Sequence, residues 1–209
     1  MSTNFNLEFH TFRSPKFKSV VDEAVAFFEA TPVHPLPSPN NFAGAGIYAL
    51  YYSGDFELYK RIVRRNEDGA HAPIYVGKAV PPGSRTGMNV SADESADLFR
   101  RLREHTSSLT QATNLNVSDF RCRFIILGLV ERDLIAPVES AIIRKYRPLW
   151  NAKVLHGFGN HDPGSGRYNQ RRSRWDILHP GRSWASRMSK LAAAETDITL
   201  DVRSYIDDL

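Results

Sequence analysis

Two stretches of this chain can scarcely be anything but β-strands, and each sets a tyrosine close to a glycine. Gly46-Ile47-Tyr48 opens a run that continues to Ser53, and Tyr75-Val76-Gly77 lies inside the run Pro73 to Ala79. Both are rich in the β-branched and aromatic residues that fit a pleated surface. Gly54-Asp55 closes the first, and Pro81-Pro82-Gly83 stops the second, because proline cannot continue a hydrogen-bonded ladder. Side chains alternate along a strand, so Tyr48, Leu50 and Tyr52 share one face and Ile47, Ala49 and Tyr51 the other. If the two strands pair, Tyr48 and Tyr75 lie side by side, and the glycines leave room for a phosphate backbone to approach. Tyrosine favours strands for its own sake, so either one alone says little. The pair says more.

The other elements fall around these two. Ser14-Pro15 caps a first helix in which Phe17, Val20, Val21, Ala24, Val25 and Phe28 recur at helical spacing. Thr31-Pro32 ends it, and the proline-rich segment to Asn41 reads as a linker. Phe56, Tyr59 and Val63 mark a short amphipathic helix inserted between the strands. Ser91-x-x-Glu94 forms a capping box before a helix running through His105. Arg121 to Leu129 is a third strand, and its unbroken apolar run Phe124 to Leu127 suggests burial on both faces. Pro137 opens a helix that stops near Pro148, and Trp184, Met188 and Leu191 suggest a last one. The fold class that follows is α/β in the broad sense, of α+β type: a small, mainly antiparallel three-stranded sheet flanked by helices. A single domain spans 1–209, with an N-terminal helix and linker (1–43), a core (44–151) and a C-terminal extension (152–209).

Composition narrows the class. A hydrophobic share of 42% supplies a core, and 24% charged residues keep the chain outside the disordered range. The net charge of +4 does not by itself name a polyanionic partner, but the arginines bunch late in the chain. Cys122 is the single cysteine, which excludes an internal disulfide and a cysteine-rich zinc site. The first residues lack a signal-peptide pattern, and the apolar run Phe124 to Val130 is too short to span a bilayer. A cytoplasmic protein that makes no membrane contact is the expectation.

The polar residues then suggest phosphate chemistry. Arg101 and His105 stand four apart and share one helix face, with Leu98 and Leu102 beside them to anchor the helix. An arginine offers planar, charge-assisted donors to a phosphate. Glu139 follows Pro137 in what reads as the first turn of its helix, where the dipole alone would favour a carboxylate. It would equally serve as the one protein ligand of a Mg²⁺, an ion that keeps most of its waters. Asn151 follows Pro148 and Trp150 and could brace the site by hydrogen bonds.

In order and type these residues resemble the GIY-YIG nuclease superfamily over Gly46 to about Asn151. Tyr48 matches the first motif tyrosine, Tyr75 the second, Arg101 the helix arginine, Glu139 the metal-binding glutamate and Asn151 the late polar residue. His105 matches a histidine of the restriction-enzyme branch. The spacing between Tyr48 and Tyr75 is longer than in compact members. Gly157-Phe158-Gly159-Asn160-His161-Asp162-Pro163-Gly164 and His179-Pro180-Gly181-Arg182 look like the type II restriction endonucleases that recognise CCGCGG. The resemblance implies phosphodiester hydrolysis with Mg²⁺, for which Mn²⁺ could substitute. Tyr48 is the family's candidate base, but a phenol with a pKa near 10 is mostly protonated at neutrality, so His105 remains an alternative.

Within 167–182, Arg167, Arg171, Arg172, Arg174 and Arg182 are interleaved with Gln170 and His179. Arginine reads guanine bidentately and glutamine can read adenine, while other cations grip phosphates. With Lys78 beside Gly77, these form the expected contact set for double-stranded DNA. One site cuts one strand, so cutting both strands of a palindrome implies a homodimer on DNA. Competing readings are a repair or homing-type GIY-YIG nuclease, usually joined to a separate DNA-binding module, and a DNA-binding protein without activity. Retention of every expected catalytic residue type argues against the last. A zinc site from His156, His161 and Cys122 has no standard spacing.

Overall fold

The computed structural model describes residues 5–38, 40–81, 96–128 and 130–209. Four antiparallel strands form one sheet in the order β1-β4-β2-β3: β1 Val33–Pro35, β2 Gly46–Tyr52, β3 Tyr75–Ala79 and β4 Phe120–Ile126. The three expected strands are present, and the fourth, β1, comes from the segment read as a linker. Its Pro35 is tolerated because the strand is a three-residue edge. The strand buried on both faces is β2, all seven residues of which are buried. Strand β4, despite its unbroken apolar run, exposes Arg121 and Ile126 and is not buried on both faces.

Helices cover both faces. On the side of Ile47, Ala49 and Tyr51 lie α1 (Phe17–Ala30) and α4 (Ile135–Tyr146), whose Val21, Val25, Phe28, Val138 and Ile142 complete one core. Burying each such side chain contributes about 1.5–3 kcal/mol. Only part of the expected apolar face of α1 turns inward, since Phe17 and Val20 are exposed. The inserted segment is a 3₁₀ turn, Glu57–Tyr59, running into α2 (Lys60–Arg64). Tyr59 is fully buried, and its hydroxyl accepts from Trp150 Nε1 at 3.0 Å and meets His179 Nε2 at 2.6 Å, so the insertion belongs to the core. On the side of Tyr48, Leu50 and Tyr52 lies α3 (Asp97–Gln111), which buries Leu98, Leu102 and Leu109.

In the C-terminal extension, α5 (Arg174–Leu178) packs on α6 (Glu195–Asp207), which buries Ile198, Val202 and Ile206. The last helix is therefore α6. The expected helix at Trp184–Leu191 is only a 3₁₀ turn, Ala185–Arg187, with Leu191 exposed. The helix carrying Glu139 starts earlier than expected, at Ile135 after a 3₁₀ turn, Glu131–Leu134. Glu139 thus lies beyond the first turn, and the dipole argument for it lapses. The Ser91/Glu94 capping box and Pro82-Gly83 lie outside the described residues. No helix among the described residues is long and apolar enough to cross a membrane.

Candidate active site

The register of β2 on β3 sets Tyr48 opposite Gly77 and Leu50 opposite Tyr75. The two tyrosines are diagonal neighbours on one face, their ring centroids 6.2 Å apart. The space beside each glycine is filled by the protein itself, by the Tyr48 ring at Gly77 and by the β4 backbone at Gly46. A Cβ at Gly77 would lie 2.4 Å from Tyr48 Oη, and one at Gly46 would lie 2.0 Å from the Ile125 carbonyl oxygen. Gly77 is small so that the Tyr48 ring can lie across it.

One helical turn of α3 brings Arg101 and His105 to the same place. Tyr48 Oη and His105 Nε2 are 2.6 Å apart, and both side chains are buried. Burial holds the His105 imidazole well below its ordinary range, and the Arg101 charge lowers it further. The ring is therefore neutral, and in the tautomer with its proton on Nδ1, Nε2 can accept the Tyr48 proton. Burial also pushes the Tyr48 phenol well up, with the neighbouring Tyr75 adding to the rise and Arg101 opposing it. Tyr75 is raised too, by burial first, with Arg101 opposing and the Glu139 carboxylate adding to the rise. A free phenolate at either tyrosine is disfavoured, and a proton shared along Tyr48–His105 is the natural alternative.

Arg101 is held from the C-terminal extension. Its Nη2 donates to the Gly159 carbonyl at 2.8 Å, and its Nη1 lies 2.8 Å from Glu104 Oε2 and 2.5 Å from His161 Nε2. Phe158 stacks on the His105 ring, centroids 4.6 Å apart and planes 17° apart. A polar cavity of about 200 Å³ opens here, bordered by Arg101, Glu104, His105, Phe158 and His161. A larger one of about 380 Å³, bordered by Val33, Tyr51 and Arg121, contains none of these groups. His161, named in the sequence only within the string 157–164 and a zinc set of no standard spacing, is thus a partner of Arg101. Its signal was the glycine-rich string 157–164, which shapes a loop able to fold back onto α3.

Glu139 reaches the cluster from the opposite layer. Because β3 is an edge strand, groups from both faces converge around it. Lys78 Nζ bonds Glu139 Oε2 at 2.5 Å, and the Glu139 carboxylate, 15% exposed, is near enough for its charge to act on Tyr75. Asn151 braces the same strand, its Oδ1 accepting from Val76 N and its Nδ2 donating to Val76 O, each at 2.8 Å. Asn151 thus stands in for a missing neighbouring strand and fixes the backbone between Tyr75 and Gly77.

The expected DNA-contact set divides. Arg167, Gln170 and Arg171 are exposed. Arg172 and Arg174 are half-buried, Arg172 donating to the Ala185 carbonyl at 3.2 Å and Arg174 pairing with Asp201 at 2.5 Å. Two members are corrected outright. His179 is fully buried, bonded to Tyr59 and to Asn114 Oδ1 at 2.9 Å, and burial brings its pKa down to about 3. Arg182 is buried against Asp176, with Nε 2.6 Å from Oδ1. Neither can meet a base edge. The zinc reading also fails: Cys122 is buried, and no group of three or more potential metal-binding His, Cys, Asp or Glu residues forms among the described residues.

His105 and His179 predict how stability responds to acid. The unfolded chain takes up protons near the ordinary value of 6.5 that the folded chain refuses, so their contribution is intact above pH 6.5 and erodes as pH falls. Each histidine costs about tenfold in the folding equilibrium per pH unit below 6.5. Urea unfolding at pH 7 and pH 5.5 should differ by roughly fifty- to a hundredfold in that equilibrium. Equal midpoints and slopes at the two pH values would show that these rings are not buried neutral.

Phenols on adjacent strands, a guanidinium and an imidazole on one helix, and a carboxylate arriving over the sheet edge place this protein in the class of GIY-YIG nucleases. The chain belongs to a restriction-endonuclease family within that class: a family model described as the Eco29kI GIY-YIG domain matches residues 40–206. The match covers most of the 209-residue chain and includes nearly all of the C-terminal extension. No curated protein matches the sequence. The protein is accordingly a nuclease acting on DNA.

Proposed function

We propose that the protein is a Mg²⁺-dependent type II restriction endonuclease that cuts double-stranded DNA at the GC-rich palindrome CCGCGG. The observation that carries this reading is the Tyr48–His105–Arg101 cluster at the sheet edge, with one carboxylate, Glu139, facing Tyr75. The sequence specificity rests on family membership, with which CCGCGG is consistent. Of the carboxylates near the cluster, Glu104 pairs with Arg101, while Glu139 faces β3 and holds a cation there, the Lys78 ammonium. A single carboxylate suits Mg²⁺, which completes its shell with waters and phosphate oxygens. When bound there, Mg²⁺, or Mn²⁺ in its place, would polarise the scissile phosphate and offset developing charge.

The chain's own groups carry the proton. Attacking water gives its proton to Tyr48 Oη as Tyr48 passes its own to His105 Nε2, so no free phenolate forms. The new P–O bond forms in line as the bond to the departing sugar oxygen breaks, and that oxygen takes a proton from solvent. Arg101 and Tyr75 hold the non-bridging oxygens, whose negative charge offsets the transient imidazolium. The exposed Arg167, Gln170 and Arg171 would meet phosphates and base edges, and Lys78 would turn to a phosphate once a metal ion takes its place on Glu139.

Cutting both strands takes two copies. Residues 5–20 are all exposed, with Phe9 at 87% and Phe12 at 91%. An apolar arm of this kind is a natural contact for the second copy. Digestion of a plasmid of known sequence, followed by sequencing of the ends, should return one defined cut within each CCGCGG and none elsewhere. Dispersed ends would remove the restriction assignment and leave a non-specific nuclease.

A further inference from the structure

We infer that Arg182 is a positioning residue of the nuclease site, acting through the loop Gly157–Asn160 on Arg101 and His105. This rests on the reading of Arg101 as a phosphate-binding group. The guanidinium is spent entirely inside the protein. Nε and Nη2 grip the two oxygens of Asp176, at 2.6 and 2.8 Å. Nη1 donates to the Phe158 and Asn160 carbonyls at 2.9 and 3.1 Å, and Nη2 donates to the Gly157 carbonyl at 2.8 Å. The plane is held between Trp175 and Trp184, each ring centroid 4.6 Å from Cζ.

Three of the four carbonyls of 157–160 thus point at one side chain. The fourth, that of Gly159, points the other way and accepts from Arg101 Nη2 at 2.8 Å. Phe158, between two clamped carbonyls, presents its ring to His105 at 4.6 Å. A loop without secondary structure would hold neither contact steadily. Five donors in a fixed fork, paired to a buried carboxylate, give it one shape. Asp176 is fixed in turn by the Ser173 hydroxyl at 2.6 Å. The chain runs from Arg182 through backbone carbonyls to the two α3 groups, so Arg182 itself never meets DNA.

The test is a comparison of cleavage and binding. Truncating Arg182 alone strands the Asp176 charge, so Arg182→Gln is combined with Asp176→Asn to remove both buried charges together. Trp184→Leu, at a half-buried position, is a gentler change that frees one face of the guanidinium. Single-turnover cleavage of a CCGCGG duplex is measured with saturating protein, and affinity for the same duplex by anisotropy without divalent metal. Circular dichroism gives the folded fraction. Per folded molecule, cleavage should fall about a hundredfold in the double variant and about fivefold in Trp184→Leu, with Kd within threefold of the parent. Folded variants that cut at the parent rate overturn the inference. So does a loss of affinity matching the loss of rate, which would make Arg182 a DNA contact. Should the double variant fail to fold, an unchanged rate in Trp184→Leu overturns the inference equally. A parent protein that cuts no DNA would instead refute the nuclease reading, a result distinct from either.

Discussion

Glutamine in place of Glu139 should leave the protein folded and DNA-bound but unable to cut. Cleavage is expected to fall by about a thousandfold or more, the scale at which loss of a charge-stabilising group at a reacting phosphate is felt. The change is isosteric. The Lys78–Glu139 pair lies at a part-exposed sheet edge, where an ion pair contributes about 0–1 kcal/mol, so the melting temperature should barely move. Single-turnover cleavage measured beside anisotropy and a thermal melt separates these effects. A Glu139→Gln protein cutting within a few fold of the parent would show that the carboxylate takes no part in the chemistry.

The second large effect is expected at the buried phenol–imidazole pair. Tyr48→Phe keeps the ring that fills the space over Gly77 and removes only the hydroxyl bonded to His105. His105→Ala removes the acceptor. Each should lower cleavage by about 10²–10⁴-fold, the range for a positioned proton acceptor. Because burial holds His105 well below 6.5, the parent's rate should not lose a proton-linked limb at that pH, and any decline should set in lower. A pH–rate profile of all three proteins checks this. An unchanged rate in Tyr48→Phe would exclude the tyrosine from the proton path and leave His105 to act on water directly.

The sequence disclosed the parts of this site better than their setting. Tyr48 and Tyr75 were legible because strand propensity and alternation act locally, and Arg101 with His105 because a helix turn is a local rule. Edge strand β1 was not, since three residues ending in Pro35 carry almost no local signal. Helix α6 carries Ile198, Val202 and Ile206 at helical spacing, but the acidic and β-branched residues between them make its local helical signal weak. Arginine content suggested base reading by Arg182, yet composition cannot tell an arginine facing DNA from one sealed between Trp175 and Trp184. The same holds for His179, whose partners Tyr59 and Asn114 lie far away in sequence. Glu139 could be named from its family pattern, but its approach over the edge from the opposite layer depends on how α4 packs on β3. Long-range packing of this kind decides burial, and burial decides which charged residues are free to act.

The proposed function requires that these groups gather around one scissile phosphate, with Glu139 as the carboxylate that would hold the metal ion. Anomalous scattering from Mn²⁺ in crystals of the Tyr48→Phe protein bound to a CCGCGG duplex tests it most directly. The expected result is one metal peak per active site, held by the Glu139 carboxylate, with the scissile phosphate beside Arg101 and Tyr75. A metal held elsewhere, or a scissile phosphate seated away from the β3 edge, would contradict it.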